Sequence, residues 1–400
     1  MPGFLDALPS GSNRIGSPMD LSLYLAAGLI LAVGLLALLA ARRRRRAAWQ
    51  QRVAAFANRA PGSTAAPGPA TASVRDAATV APPRPGEAEA VLERLGAALE
   101  RLYDEPGDVG DSGRLFAAKG APLPPQVAAA AKRVGGDAAA GTLIARLSDP
   151  QINLSVVAGM IAANPLLTGN VLKIANSPFF GLRAAIADVG QAIGVIGLGN
   201  VRTLLFAELL ENAATQSGLD KAARTALWGH MAKTAVLARR IAPAIAGLDA
   251  GVAYTAGLLH DIGLLALPAR PVGQAPVDVW NPAGETADYG VHHGAAGAAV
   301  CAGFALPTNL VQAVGLHHAP AFAEMEDLAA ETPDIRLALA VGMADALTQV
   351  LDGRNPASIL PLRHSYRFLV NEPVLAEVLA DPALLGEVSR TMALLAATRG

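Results

Sequence analysis

The chain has 400 residues, 52% of them apolar and 16% charged, with a formal net charge of −1. Four hundred residues exceed what one compact domain needs, so the sequence predicts a folded unit with extra segments. From residue 120 onward 18 Lys and Arg stand against 22 Asp and Glu, which argues against sequence-blind nucleic-acid binding, a property that rests on neutralising phosphates. Abundant alanine and leucine with 4% aromatics favour helix over sheet. The single cysteine, Cys301, excludes an intramolecular disulfide and a CxxC metal knuckle and reads as a small buried apolar filler.

Residues 1–20 read as a short extracytoplasmic tail. Residues 21–41 carry no charge, and their only polar side chains are Ser22 and the Tyr24 hydroxyl. At about 1.5 Å per residue this stretch spans about 30 Å of hydrocarbon as a helix. Arg42 to Arg46 follow directly, so the expected orientation puts the N-terminus outside and the rest in the cytoplasm. A cleaved signal peptide would place its cations before the apolar stretch, not after it. The arginines also suit contact with anionic lipid.

Trp49 to Asn58 can form a short helix. Residues 42–86 otherwise read as a basic border and a disordered linker. Pro61, Pro67, Pro69, Pro82, Pro83 and Pro85 alternate there with small residues, too little apolar surface to offset ordering entropy. Residues 87–124 read as a helix and a connecting loop. Val91, Leu92, Leu95, Leu99 and Leu102 share one face, either packed on the domain or forming a homodimer seam. From residue 125 the periodicity is helical, interrupted at Asp149-Pro150 and Asn164-Pro165. An all-α bundle spans 125–345, and 346–400 forms a C-terminal helical extension in which the sequence shows no chemistry.

Three stretches are distinctive: Ala163-Asn164-Pro165-Leu166-Leu167, Ala175-Asn176-Ser177-Pro178-Phe179-Phe180-Gly181 and Gly257-Leu258-Leu259-His260-Asp261-Ile262-Gly263. Together they resemble the HDOD family, the HD-related output domains of bacterial signalling proteins, over residues 125–345. The resemblance implies an all-helical fold and a non-catalytic signal-transduction module that binds a protein or a nucleotide-like ligand, held by the expected anchor at the inner membrane of a bacterium. Phe179 and Phe180 have a plain reading as side chains packed between helices.

Six of seven histidines fall between positions 230 and 318. Imidazole and carboxylate together suit Zn, Mn or Fe. Adjacent helical side chains point about 100° apart, so His260 and Asp261 converge best at a helix end, for which Gly263 offers a stop. By resemblance to the wider HD phosphohydrolase superfamily, His230, His260, Asp261, His293, His317, His318 and Asp345 would hold a divalent metal pair. The alternative function is then a metal-dependent phosphohydrolase acting on a cyclic dinucleotide or another phosphoester. Two departures weigh against turnover. Leu264 stands where the cyclic-dinucleotide enzymes carry lysine, and Ala319-Pro320-Ala321-Phe322 replaces their Gly-Tyr-Pro segment. The glutamate expected after the double histidine is also missing. Plainer readings remain for each residue. His230 is a satisfied helical histidine, His260-Asp261 a hydrogen-bonded corner, His317-His318 an exposed loop pair, and Asp345 a core cap. His292 is expected to face solvent, and His364 lies outside the cluster.

Overall fold

The computed structural model of the chain describes residues 85–109, 114–117, 122–136, 138–147, 149, 152–163, 165–177, 180–268, 282–328 and 335–397. The chain separates into two units, Met1–Gln51 and Arg52–Gly400, and every described residue belongs to the second. The expected membrane helix at 21–41, the arginine border, the short helix at Trp49–Asn58, the tether as far as residue 84 and Phe179 lie outside the described residues, while the last two linker residues, Pro85 and Gly86, begin a helix instead. Among the described residues no single helix is long and apolar enough to cross a membrane.

The described fold is helical, and its one β-contact is an isolated bridge between Ile245 and Val370. The helices of eight or more residues begin with α1 (Pro85–Leu102), α2 (Pro125–Gly135), α3 (Ala138–Leu147), α4 (Leu154–Ala162) and α5 (Pro165–Ala175). They continue with α6 (Val189–Ile196), α7 (Leu198–Gln216), α8 (Lys221–Ile241), α9 (Ala250–Leu259) and α10 (Pro282–Tyr289). The last are α11 (His293–Gly303), α12 (Thr308–Leu316), α13 (Arg336–Leu351), α14 (Glu372–Ala380) and α15 (Ala383–Ala397).

Local sequence explains several boundaries. Asn153, Asp188, Asp220, Asp249 and Asn371 each accept a hydrogen bond from a first-turn amide, supplying partners that a helix start lacks. Pro165 opens α5, where its missing N–H costs nothing.

The centre of the fold is α13, buried from Leu337 to Val350, and α9, buried from Ala253 to Leu259. Helices apolar on all sides belong in an interior. Helix α8 packs on both, and α11 and α12 pack as a pair, with α2 against α11 and α12 against α13. Helices α4 to α7 follow one another, α5 and α4 both packing on α6, while α7 joins them to α2, α3, α8 and α15.

On α1, Leu92, Leu95, Leu99 and Leu102 are buried against α13 and α14. The Arg94 guanidinium also donates to the carbonyls of Val350 and Arg354. The apolar face of α1 is therefore spent inside the chain and is not open as a dimer seam. Helix α13 crosses the expected boundary between residues 345 and 346, so the C-terminal extension begins within a core helix.

Candidate metal centre

The adjacent His-Asp pair sits where helical geometry predicts. Helix α9 ends at Leu259, His260 caps it, and Asp261 leaves the helical region with φ −98 and ψ 10. Gly263 plays a different part from the expected helix stop. It lies in the following 3-10 turn (Ile262–Leu265), and a Cβ there would come within 1.9 Å of the His293 carbonyl. Its missing side chain lets this turn press against the start of α11. Gly342 on α13 does the same beneath the double histidine, where a Cβ would lie 2.1 Å from the His317 carbonyl.

The other candidates arrive from four more elements. His230 projects from the middle of α8, His293 opens α11, His317 and His318 follow α12, and Asp345 sits within α13. All seven predicted residues meet. His230 Nε2 lies 2.9 Å from Asp345 Oδ1 and 3.7 Å from Asp261 Oδ2. Asp261 Oδ1 lies 3.3 Å from both His260 Nε2 and His293 Nε2, and 3.8 Å from His317 Nε2. His293 Nε2 is 3.2 Å from His317 Nε2 and 3.0 Å from His318 Nε2.

The opposite ring nitrogens explain this convergence. His260 Nδ1 donates to the Gly257 carbonyl and His317 Nδ1 to the Val314 carbonyl. His293 Nδ1 donates to Glu285 and His230 Nδ1 to Asp352. Each bond places a proton on Nδ1 and turns Nε2 inward, the usual arrangement behind a metal-bound imidazole.

Two three-residue groups have ligand atoms close enough to share an ion: His230, His260 and Asp345, and His293, His317 and His318. A third, His260, Asp261 and His317, spans the space between them. An ion with bonds of about 2.0–2.1 Å to nitrogen sets its ligands about 3 Å apart, as the His293 contacts are. The buried atoms His260 Nε2 and Asp261 Oδ1 make no well-formed hydrogen bond and approach only each other and other ligand atoms, at 3.3 Å or more. Orphaned polar atoms are costly in an interior, and here both face the cluster. The donor set therefore fits divalent metal, with Asp261 placed to serve both groups.

The metal-free electrostatics point the same way. Burial opposes charge on His230, but hydrogen bonds to Asp345 and Asp352 outweigh it and raise that histidine to about 9. Against the same burial penalty, Asp261 and Asp345 raise His260 to about 10. Glu285 and Asp261 likewise overcome burial and raise His293 to about 10. Asp261 and Asp345 are both held well below the usual carboxylate range by these histidines, despite burial that pushes upward. Burial, then the neighbouring His260 and His293, lowers His317 to about 3. Burial, followed by His317 and His293, lowers His318 as well. Without metal, protons on three histidines balance the carboxylates. A dication can take their place.

Several expectations are corrected here. His317 and His318 are not an exposed loop pair, since both are buried. His292 does not face solvent. It is buried beside the Phe116 ring and accepts a hydrogen bond from Ala295 N as the cap of α11. The extension beyond 345 does carry site chemistry, through Asp352. Sequence reasoning also missed Glu285, which accepts from both the His293 amide and its Nδ1. Glu285 stands eight residues before His293, and no motif marks it. Lys233, one turn after His230 on α8, pairs with Asp352. Phe180 is buried, as its plain reading requires, and His364 stays outside the cluster near Glu105.

The comparisons with known proteins meet this geometry. Residues 138–320 match the model of the HDOD domain family. This segment is an HDOD domain. The HDOD match contains six of the converging residues, and Asp345 lies beyond its end. A protein of Treponema pallidum (strain Nichols), named as uncharacterized, is 27% identical over 225 residues. That alignment covers 54% of this chain and 42% of the relative, so the chain spans under half of the curated relative it matches. A solved structure from Shewanella amazonensis SB2B, named as a phosphohydrolase, is 20% identical. It covers 73% of this chain and 100% of its own, with a TM-score of 0.40. Another, from Marinobacter aquaeolei VT8 and named as a signal transduction protein, is 16% identical. It covers 78% of this chain and 66% of its own, with a TM-score of 0.47.

Proposed function

We propose that this chain is a membrane-anchored cytoplasmic signal-transduction module. In this reading its HDOD domain holds a buried divalent metal pair and acts by binding a protein or a nucleotide-like ligand rather than by turnover. The burial of the cluster carries the reading. The side chains of His260, Asp261, His293, His317 and Asp345 are at most 2% exposed, and only His230, at 13%, reaches toward solvent. The Nδ1 side of His230 is covered by the Asp352–Lys233 pair. A catalytic metal keeps an open position for water or substrate, and this arrangement leaves little approach for a phosphoester. Leu264 supports the same reading, because charge stabilisation of a phosphate is a large part of such catalysis.

His230, His260 and Asp345 would hold one ion, His293, His317 and His318 the other, with Asp261 between them. Iron, manganese and zinc all suit imidazole and carboxylate donors. A bound pair would supply Lewis acidity and, if solvent reached it, an activated water. The second reading, a metal-dependent phosphohydrolase, draws its support from Asp261 lying within reach of both groups.

Elemental analysis of the purified full-length protein, with a turnover assay on bis(p-nitrophenyl) phosphate, separates the readings. Bound metal without turnover supports the signalling module. Turnover that disappears in Asp261→Asn establishes the hydrolase instead. No metal in the wild-type protein after reconstitution with Fe, Mn and Zn would sink the metal centre. The anchor is tested by reporters fused after residue 60. A cytoplasmic reporter should be active there, and a periplasmic signal would overturn the orientation.

A further inference from the structure

A cleft of about 280 Å³ opens between α5, α7 and the first turns of α8, away from every residue of the metal centre. Its floor is aliphatic: Leu167, Val171, Ile174, Leu204 and Leu205 line it, all buried. Its rim is charged, and the charges are unequally engaged. Glu211 is held by Arg224 at 3.3 Å and accepts from the Trp228 indole, so its charge is already matched. Lys173 and Lys221 make no ion pair among the described residues and are exposed at the rim, opposed there by Glu208 alone. Arg224 is committed within the fold: its Nε faces Glu211 at 3.3 Å and its Nη1 donates to the Leu219 carbonyl.

We propose that this cleft binds a small organic anion with an apolar body, the body on the aliphatic floor and the anionic group at Lys173 and Lys221. A concave apolar pocket with a few convergent polar groups is the usual form of a small-molecule site. Its volume lies just below the usual range of such pockets, about 300–1,000 Å³, which admits one or two fused rings or a short acyl chain and not a dinucleotide. Water alone satisfies the rim cations but leaves the aliphatic floor wet, and covering that floor is what favours a ligand over solvent. The ligand class is set by the rim, where cations outnumber the one carboxylate left unmatched.

The test uses full-length protein in lipid nanodiscs, with empty nanodiscs as the blank and naphthalene-2-sulfonate as the probe in calorimetry. Saturable one-to-one binding is expected. The double variant Lys173→Glu/Lys221→Glu should weaken it about tenfold, the sum of two part-exposed ion pairs. Asn170→Trp, which places a ring in the cleft from its α5 wall, should abolish it. Neutral naphthalene-2-sulfonamide should bind at least about tenfold more weakly than the sulfonate. Absence of saturable binding overturns the proposal, as does wild-type affinity in both variants whose melting temperatures match the parent. Equal affinity for the sulfonamide overturns the assignment to an anion.

Discussion

Glu285 and Asp352 show how much of the metal centre lies behind its ligands. Neither would touch an ion, yet each fixes which nitrogen of His293 or His230 faces inward. Removing such a partner costs about 10–100-fold in metal affinity. Glu285→Gln should show that loss in a competition titration with a chelator while the protein stays folded, and an unchanged affinity would remove Glu285 from the centre. The two close-approach glycines act on the backbone instead. Gly263→Ala and Gly342→Ala each force a methyl into a carbonyl of a ligand residue. Overpacking of this kind costs about 1–3 kcal/mol. Both variants should unfold at lower denaturant concentration and bind metal more weakly, and wild-type values for either would show that the helices can separate freely there.

Helix α1 is the element whose role the sequence left between two choices. Its leucine face reads equally well as a dimer seam or as a packing surface, because periodicity gives the face and not the partner. The fold decides it: Leu92 and Leu95 are fully buried against helices of the same chain. Leu95→Ala should therefore destabilise the domain by about 2–5 kcal/mol, the cost of a core cavity, in a urea titration whose midpoint does not depend on protein concentration. A loss under about 0.5 kcal/mol, the level of ordinary surface changes, would place that face outside the core. Helix α13 shows the reverse case. Its burial on all sides follows from an almost uncharged run between Arg336 and Asp352, broken by Asp345, the one carboxylate that the core must accommodate.

For the molecule as a whole, the six histidines between 230 and 318 divide into two sets with opposite pH behaviour. His230, His260 and His293 are raised to about 9, 10 and 10 by their carboxylate partners, against the burial that opposes charge. Their contribution to stability is complete below their unfolded pKa of about 6.5 and is lost as pH rises through 9 and 10. Burial lowers His292 and His317 to about 3 and His318 well below its ordinary value. Their contribution is present above about 6.5 and lost as pH falls. The lowered Asp261 and Asp345 add to the acid-side loss. The melting temperature of EDTA-treated protein should therefore peak near about pH 6.5. Metal loading should lift the alkaline side most, because bound metal replaces the protons that alkali removes. A flat profile above neutrality in the chelated protein would show that these histidines are not charged in the fold.

Much of this was readable in the residues themselves. The apolar periodicity from residue 125 onward specifies helices, because a 3.6-residue repeat can bury one face only as a helix. The seven site residues were named through the resemblance to the HD phosphohydrolase superfamily, each matched in order to one of its histidines or aspartates. Convergence was not readable. His230 and Asp345 are 115 positions apart, and their 2.9 Å contact depends on α8 crossing α13. Glu285, Asp352 and the inward turn of each Nε2 were equally hidden, because a hydrogen bond across the fold leaves no periodic trace. The burial of His292, His317 and His318 belongs with them. A short polar run after a helix reads as a loop until the packing of α11, α12 and α13 closes over it. The sequence determines which side chains are available and on which helical faces. The tertiary structure alone decides which faces meet, and so whether imidazoles and carboxylates become a metal centre or remain separate caps and core pairs.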